Sequence, residues 1–301
     1  MKQLVILSGK GGTGKTSISA AFAHLGSISS SQVRFVLADA DVDAANLSLV
    51  LKPEVMKREA FWGGSLAEID PDLCQGCGSC VPVCRYDAVL LDPRRSDNYW
   101  IDPVACDGCA ACLYACPNNA IRMVVQQEGY WFRSSTSYGT LFHAELFPGA
   151  DNSGKLVTLV KQNARLWAED QHSPLVIIDG PPGIGCPVIS ACAGTDLGLI
   201  VTEPSLAGLH DLERIQATLQ HFRVPQVICI NKADIYPEGT RQIREFAKEQ
   251  GIQVLGEIPF DEKIPLSMLN GSPVTEEFPS AESSRSITLL WEQITATLDT
   301  L

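Results

Sequence analysis

The chain has 301 residues, 45% hydrophobic and 19% charged, which excludes a disordered polymer and leaves ample length to bury a core. Acidic residues number 35 against 23 basic ones, a formal net charge of −12, so no surface built to neutralise nucleic-acid phosphates is expected. No apolar run approaches the ~18 residues of a membrane helix, and Leu4–Leu7 is ended by Ser8-Gly9-Lys10-Gly11-Gly12 too soon for a secretory stretch, so a cytoplasmic protein is expected, in which eleven cysteines point to metal or redox chemistry in place of disulfides.

The first apolar run, Leu4–Leu7, reads as a buried parallel strand. Gly9-Lys10-Gly11-Gly12-Thr13-Gly14-Lys15-Thr16 follows it, and a helix is expected over Lys15–Gly26. A GxxxxGK(S/T) match between strand and helix is a P-loop, whose backbone N–H groups wrap phosphates at a helix N-terminus. Lys15 is expected to reach the β and γ phosphates and Thr16 to ligate Mg2+, with Gly11, Gly12, Thr13, Gly14 and Ser17 completing the nucleotide cradle. The next strand, Val33–Ala38, ends in Asp39-Ala40-Asp41.

Eight cysteines then fall between Cys74 and Cys116. Ile69-Asp70-Pro71 with Cys74, Cys77, Cys80 and Cys84 returns 32 residues later as Ile101-Asp102-Pro103 with Cys106, Cys109, Cys112 and Cys116, a tandem duplication. Each run has the CxxCxxCxxxC spacing of bacterial ferredoxins, in which the fourth thiolate serves the other cluster. One 4Fe-4S cluster is therefore expected on Cys74, Cys77, Cys80 and Cys116, and a second on Cys106, Cys109, Cys112 and Cys84. Small residues between them (Gly76, Gly78, Gly108, Ala110, Ala111) permit tight turns. Two four-cysteine zinc sites are the competing reading, although zinc knuckles usually pair CxxC motifs across a longer spacer.

Residues 123–147 are expected to form strands or a hairpin, followed by a helix over Lys155–Glu169. Strand Leu175–Ile178 runs into Asp179-Gly180-Pro181-Pro182-Gly183. Strands Leu197–Val201, Val227–Ile230 and Val254–Ile258 alternate with helices Leu206–Phe222 and Thr240–Gln250. This alternation predicts an α/β fold with a doubly wound, mainly parallel sheet and ligands at its carboxyl edge. The cysteine block reads as an α+β ferredoxin-like insertion at 66–125, dividing a nucleotide-binding domain into 1–65 and 126–301. Cys229 belongs to an apolar strand and reads as core, whereas Cys186 and Cys192 follow the Asp179 segment without an assigned role. Ser284–Leu301 is an amphipathic helix without a basic face, which favours core packing over lipid binding.

The Lys10-Gly11-Gly12-Thr13-Gly14-Lys15-Thr16 loop resembles the deviant P-loop of the MinD/Mrp/ParA and nitrogenase-iron-protein ATPases. That resemblance implies a face-to-face dimer, a homodimer or a dimer with a paralogous ATPase, in which Lys10 reaches the phosphates of the opposite subunit. It also implies that Asp41 orients the attacking water near Mg2+, Asp179 holds Mg2+ through water and the Gly183 amide senses the γ-phosphate. Asn231 and Pro259 would contact the base, but Asn231-Lys232-Ala233-Asp234 also fits the NKxD pattern of GTPases, so ATP and GTP both stay open, with ATP favoured by the P-loop form. The whole arrangement resembles MinD-superfamily ATPases carrying an inserted ferredoxin domain, which implies ATP, Mg2+ and two 4Fe-4S clusters. The expected function is a nucleotide switch gating electron transfer to a redox or metalloenzyme partner. Cluster or metal delivery, or a redox-sensing positioning ATPase, are the alternatives.

Overall fold

All four side chains of Leu4-Val5-Ile6-Leu7 are fully buried, so their strand needs cover on both faces and a neighbour on each edge. A computed structural model describing residues 1–28, 35–95, 97–150 and 153–301 supplies both. In chain order the elements are β1 (Lys2–Ser8), α1 (Lys15–Ile28), β2 (Phe35–Asp39), α2 (Leu47–Leu51), β3 (Glu54–Ile69), β4 (Val89–Leu91) and β5 (Tyr99–Ile101). There follow α3 (Ala111–Ala115), β6 (Ile121–Ser135), β7 (Thr140–Leu146), α4 (Ser153–Asp170), β8 (Leu175–Pro182), α5 (Cys186–Cys192), β9 (Leu197–Thr202) and α6 (Leu206–His221). The last are β10 (Gln226–Asn231), α7 (Pro237–Gln250), β11 (Gln253–Ile258), α8 (Lys263–Asn270), α9 (Val274–Glu277) and α10 (Glu282–Thr300). Val33 and Arg34, the expected start of the second strand, lie outside the described residues.

The chain divides into two compact units. One comprises Met1–Glu59, Tyr130–Pro148 and Ser153–Leu301; the other is built on Ala60–Gly129. Sheet order is β11-β10-β9-β1-β8-β2-β7-β6-β3. β1 runs parallel to β8 and β9, β2 parallel to β8 and β7, and β10 parallel to β9 and β11. Their carboxyl ends therefore share one edge, as the strand–helix alternation predicts. One sheet face, bearing Leu4, Ile6, Leu37, Ile177 and Val201, packs against α1 and α10. Within it the Trp291 ring lies 5.0 Å from that of Phe22. Helix α10 buries Ile287, Leu290, Trp291, Ile294 and Leu298, so its apolar stripe faces the core. Among the described residues no helix is long and apolar enough to cross a membrane.

β3 escapes the sequence reading. Its first seven residues, Glu54–Ala60, are all exposed, as an edge strand allows, so no apolar alternation marks it.

The duplicated sequence is duplicated backbone in the second unit. Asp70 and Asp102 each accept from the amide four residues on, Cys74 and Cys106, at 3.0 Å. The two repeats also exchange hydrogen bonds: Asp70 N–H donates to Ala120 at 2.7 Å, and Asp102 N–H donates to Ala88 at 2.8 Å. β4 pairs antiparallel with β5, and Ala67, Cys80, Val89, Cys112 and Ile121 form a small core.

Candidate functional site

Glycine lets the chain turn sharply between β1 and α1. Gly14 has φ +98, and a Cβ there would stand 2.4 Å from Asn231 Nδ2, so the position needs glycine for both conformation and space. Asn231, 5% exposed at the end of β10, uses that amide to donate to the Thr13 carbonyl at 2.7 Å. Asn231, expected from sequence to contact the base, here braces the loop after β1. A cavity of about 920 Å³ opens beside it at the carboxyl edge of the sheet. Gly11, Gly12, Gly14, Lys15, Thr16, Ser17, Asp41, Asn231 and Pro259, all expected from sequence, line it.

Lys15 is 6% exposed and donates to Ser8 Oγ at 2.9 Å. Burial lowers its pKa, while Asp179, Asp41 and Asp39 oppose that shift. Asp179, at 1% exposure, accepts from Thr16 Oγ1 and Ser19 Oγ, both at 2.8 Å. Burial raises its carboxyl above the usual range, with Lys15 pulling the other way. Asp39 is held still higher by burial, then by Asp179 and Asp41, and its oxygens accept from the Asp41 and Leu47 amides. Asp39 therefore shapes the loop that carries Asp41. The Asp41 carboxyl is pushed up to about 6 by burial, with Lys15 opposing and Asp179 and Asp43 adding to the rise. Three carboxylates crowd around one lysine, so the site carries excess negative charge when all are ionised.

Four expected residues, Thr13, Asp179, Gly183 and Lys10, are outside the cavity lining, although Lys10 is expected to act across a dimer. Gly183 does not line the cavity: its φ of +89 turns the chain so that its amide donates to the Ser8 carbonyl at 3.0 Å. Lys10 does not line it either, because its ammonium pairs with Glu203. Asp234 of the NKxD match is likewise outside the lining, and its Oδ1 accepts from the Phe260 amide at 2.7 Å. Sequence reasoning missed the apolar wall from α2 and α8, namely Leu49, Val50, Ile264, Met268 and Leu269, because such short helices carry no readable periodicity. It also missed Ser19, one helical turn from Thr16, whose hydroxyl is the second donor to Asp179.

In the second unit, Cys74, Cys77, Cys80 and Cys116 line one small recess, and Cys84, Cys106, Cys109 and Cys112 line another. Each recess thus draws three thiols from one repeat and the fourth from the other. The Ala88 amide donates to Cys84 Sγ at 3.4 Å, and the Ala120 amide to Cys116 Sγ at 3.3 Å. Gly76 and Gly108 take φ +65 and +72, and a Cβ on either would collide with a carbonyl oxygen, of Asp97 at 1.9 Å or of Ser65 at 2.1 Å. Among the described residues no three His, Cys, Asp or Glu side chains gather closely enough to hold a single metal ion. Of the remaining cysteines, Cys229 and Cys192 are fully buried, while Cys186 is exposed at the start of α5.

An uncharacterised protein of Methanocaldococcus jannaschii is 32% identical over 97% of this chain and 96% of its own length. The cell-division ATPase MinD of Pyrococcus furiosus shares the fold, with a TM-score of 0.58 at 21% identity, covering 98% of this chain and 99% of that one. The septum site-determining protein MinD of Pyrococcus horikoshii, in complex with Mg-ADP, gives a TM-score of 0.57 at 18% identity, covering 97% of this chain and 95% of that one. The sequence signature of the CobQ/CobB/MinD/ParA nucleotide binding domain matches residues 4–274, and the chain belongs to that family.

Proposed function

We propose that the protein is a Mg2+-dependent ATPase, working as a homodimer or with a paralogous chain, whose second unit carries two 4Fe-4S clusters. The observation that carries the combined reading is that eight duplicated cysteines line two recesses in one chain with a P-loop cavity. Two runs of closely spaced cysteines, each lending its fourth thiol to the other's recess, suit 4Fe-4S clusters better than zinc, whose knuckles usually pair CxxC motifs across a longer spacer. Cys74, Cys77, Cys80 and Cys116 would hold one cluster and Cys84, Cys106, Cys109 and Cys112 the other. When bound, such clusters supply one-electron transfer. The amides of Ala88 and Ala120 orient the crossing cysteines.

In the first unit, the P-loop amides and Lys15 bind and orient the polyphosphate. Thr16, Asp41 and Asp179 would hold Mg2+, which supplies charge neutralisation on the phosphates. Asp41, at the cavity wall, positions the attacking water and accepts its proton. Gly183 would contact the γ-phosphate only after giving up its bond to Ser8. ATP is preferred over GTP on the form of the P-loop, and Asp234 of the NKxD match lies outside the cavity lining. Nucleotide turnover then gates electron delivery to a redox or metalloenzyme partner. The exposed pair Cys77 and Cys109 favours a second reading, delivery of clusters to an acceptor protein.

Anaerobic reconstitution of the full chain tests these assignments. About eight irons and eight sulfides per chain are expected, with Mg2+-dependent hydrolysis of ATP over GTP. A colourless protein holding about two zinc ions, or one that hydrolyses neither nucleotide, overturns the reading. Loss of iron to an apo-ferredoxin upon ATP addition selects delivery over electron transfer.

A further inference from the structure

Two lysines beside the phosphate loop are held by one carboxylate. Glu203, just past the end of β9, takes Lys10 on Oε1 and Lys232 on Oε2, the latter at 3.1 Å. Lys232 Nζ also lies 3.4 Å from the Gly12 carbonyl, so the cluster is tied to the loop itself. The formal charges sum to +1, and removing Glu203 would leave two unpaired ammonium groups at the edge of a site built for anions. Burial pushes the Glu203 carboxyl up, but the bonds from Lys10 and Lys232 outweigh it and hold it below its ordinary range.

We propose that Glu203 is a built-in counter-anion that competes with nucleotide phosphates for Lys10 and Lys232. It acts as a positioning residue, through the lysines. The side chains of Lys10, Lys232 and Glu203 are 36%, 32% and 19% exposed, so the pairs are partly screened and weak enough for a polyphosphate to break. A triphosphate, with more negative charge to offer, competes better than a diphosphate. While the clasp is closed, Lys10 stays on Glu203 and outside the cavity lining, so its expected contact with the nucleotide of the opposite subunit requires the clasp to open first. The site thereby weakens its own hold on nucleotide and discriminates by phosphate charge.

This inference rests on the reading of the cavity as a nucleotide site, and titration calorimetry separates the two. Wild-type protein that binds neither ADP nor a non-hydrolysable ATP analogue refutes the nucleotide site itself. Given binding, Glu203→Gln is expected to bind the ATP analogue on the order of fivefold more tightly, with a smaller gain for ADP. The gain should shrink at high salt and vanish in a Lys10→Gln/Lys232→Gln background. Weaker or unchanged binding, an equal gain for both nucleotides, or a gain that survives without the lysines overturns the proposal. If the triple variant does not fold, insensitivity of the single-variant gain to salt overturns it equally.

Discussion

The contact between Gly14 and Asn231 makes a quantitative claim that Gly14→Ala can test. Alanine at φ +98 adopts backbone that side-chain-bearing residues rarely take, at about 1–3 kcal/mol. Its Cβ would also stand 2.4 Å from Asn231 Nδ2 and push that amide off the Thr13 carbonyl, which it now meets at 2.7 Å. A buried carbonyl without a donor costs about 1–3 kcal/mol more. Gly14→Ala should therefore lose about 2–6 kcal/mol, a large part of a typical ~5–15 kcal/mol stability.

The two contributions separate in a double-mutant cycle. Asn231→Ala alone should cost about 1–3 kcal/mol through the same orphaned carbonyl. With Asn231 already gone, Gly14→Ala retains only its backbone strain, so the pair should cost about 1–3 kcal/mol less than the sum of the singles. Urea denaturation of the nucleotide-free variants, followed by circular dichroism and tryptophan fluorescence, measures all four corners. Additivity within about 0.5 kcal/mol would refute the claim that Gly14 is glycine to make room for Asn231.

Four further outcomes follow from Asp41, Lys161 and Trp291. With the Asp41 carboxyl pushed up to about 6 by burial, nucleotide binding with Mg2+ at pH 6 should release about half a proton more from wild type than from Asp41→Asn, a difference that closes by pH 8; equal release in calorimetry across buffers sinks the assignment. The same shift sets a sign for the free protein: folded chains keep a proton that unfolded chains lose above pH 3.8, so this group's contribution to stability falls as pH climbs from 3.8 to about 6, and thermal melts of Asp41→Asn should lack that slope. Lys161 caps the end of α5 by donating to the carbonyls of Ala191 at 2.8 Å, Ser190 at 3.3 Å and Ala193, so Lys161→Met should destabilise by about 1–3 kcal/mol, and a change under 0.5 kcal/mol would show those carbonyls to be otherwise satisfied. Trp291→Ala should cost about 3–5 kcal/mol in denaturant melts while Leu289→Ala, on the exposed side of α10, costs under about 0.5; similar losses would contradict core packing of that helix.

What the sequence discloses about the nucleotide-binding unit is what short stretches of chain determine. The strand–glycine–helix run from Leu4 to Lys15 is legible because each residue type acts on its immediate neighbours: apolar side chains bury β1, glycines turn, and α1 starts at Lys15. Thr16, Ser19 and Asp179 show the limit. The two hydroxyls lie three residues apart on α1, but the carboxylate that unites them is some 160 positions away, brought there by the pairing of β8 beside β1. Glu203 is less legible still: one acidic residue after a strand looks like any turn residue until Lys10 and Lys232 are seen to converge on it.

The cysteine unit was more open to reading because it repeats itself, and a repeat carries long-range information that a single motif lacks. A constant 32-residue offset says that two copies share one local structure, but not how they meet. The structure supplies that step: the head of each copy, Asp70 or Asp102, is hydrogen-bonded to the tail of the other, Ala120 or Ala88. Those tails lie four residues past Cys116 and Cys84, and each tail amide also donates to the sulfur of its own fourth cysteine. The reciprocal backbone bonds therefore carry the fourth thiol of each run across to the other run's recess. A lone copy could offer three thiols and an open side; the duplication, not the spacing within either run, is what closes each recess.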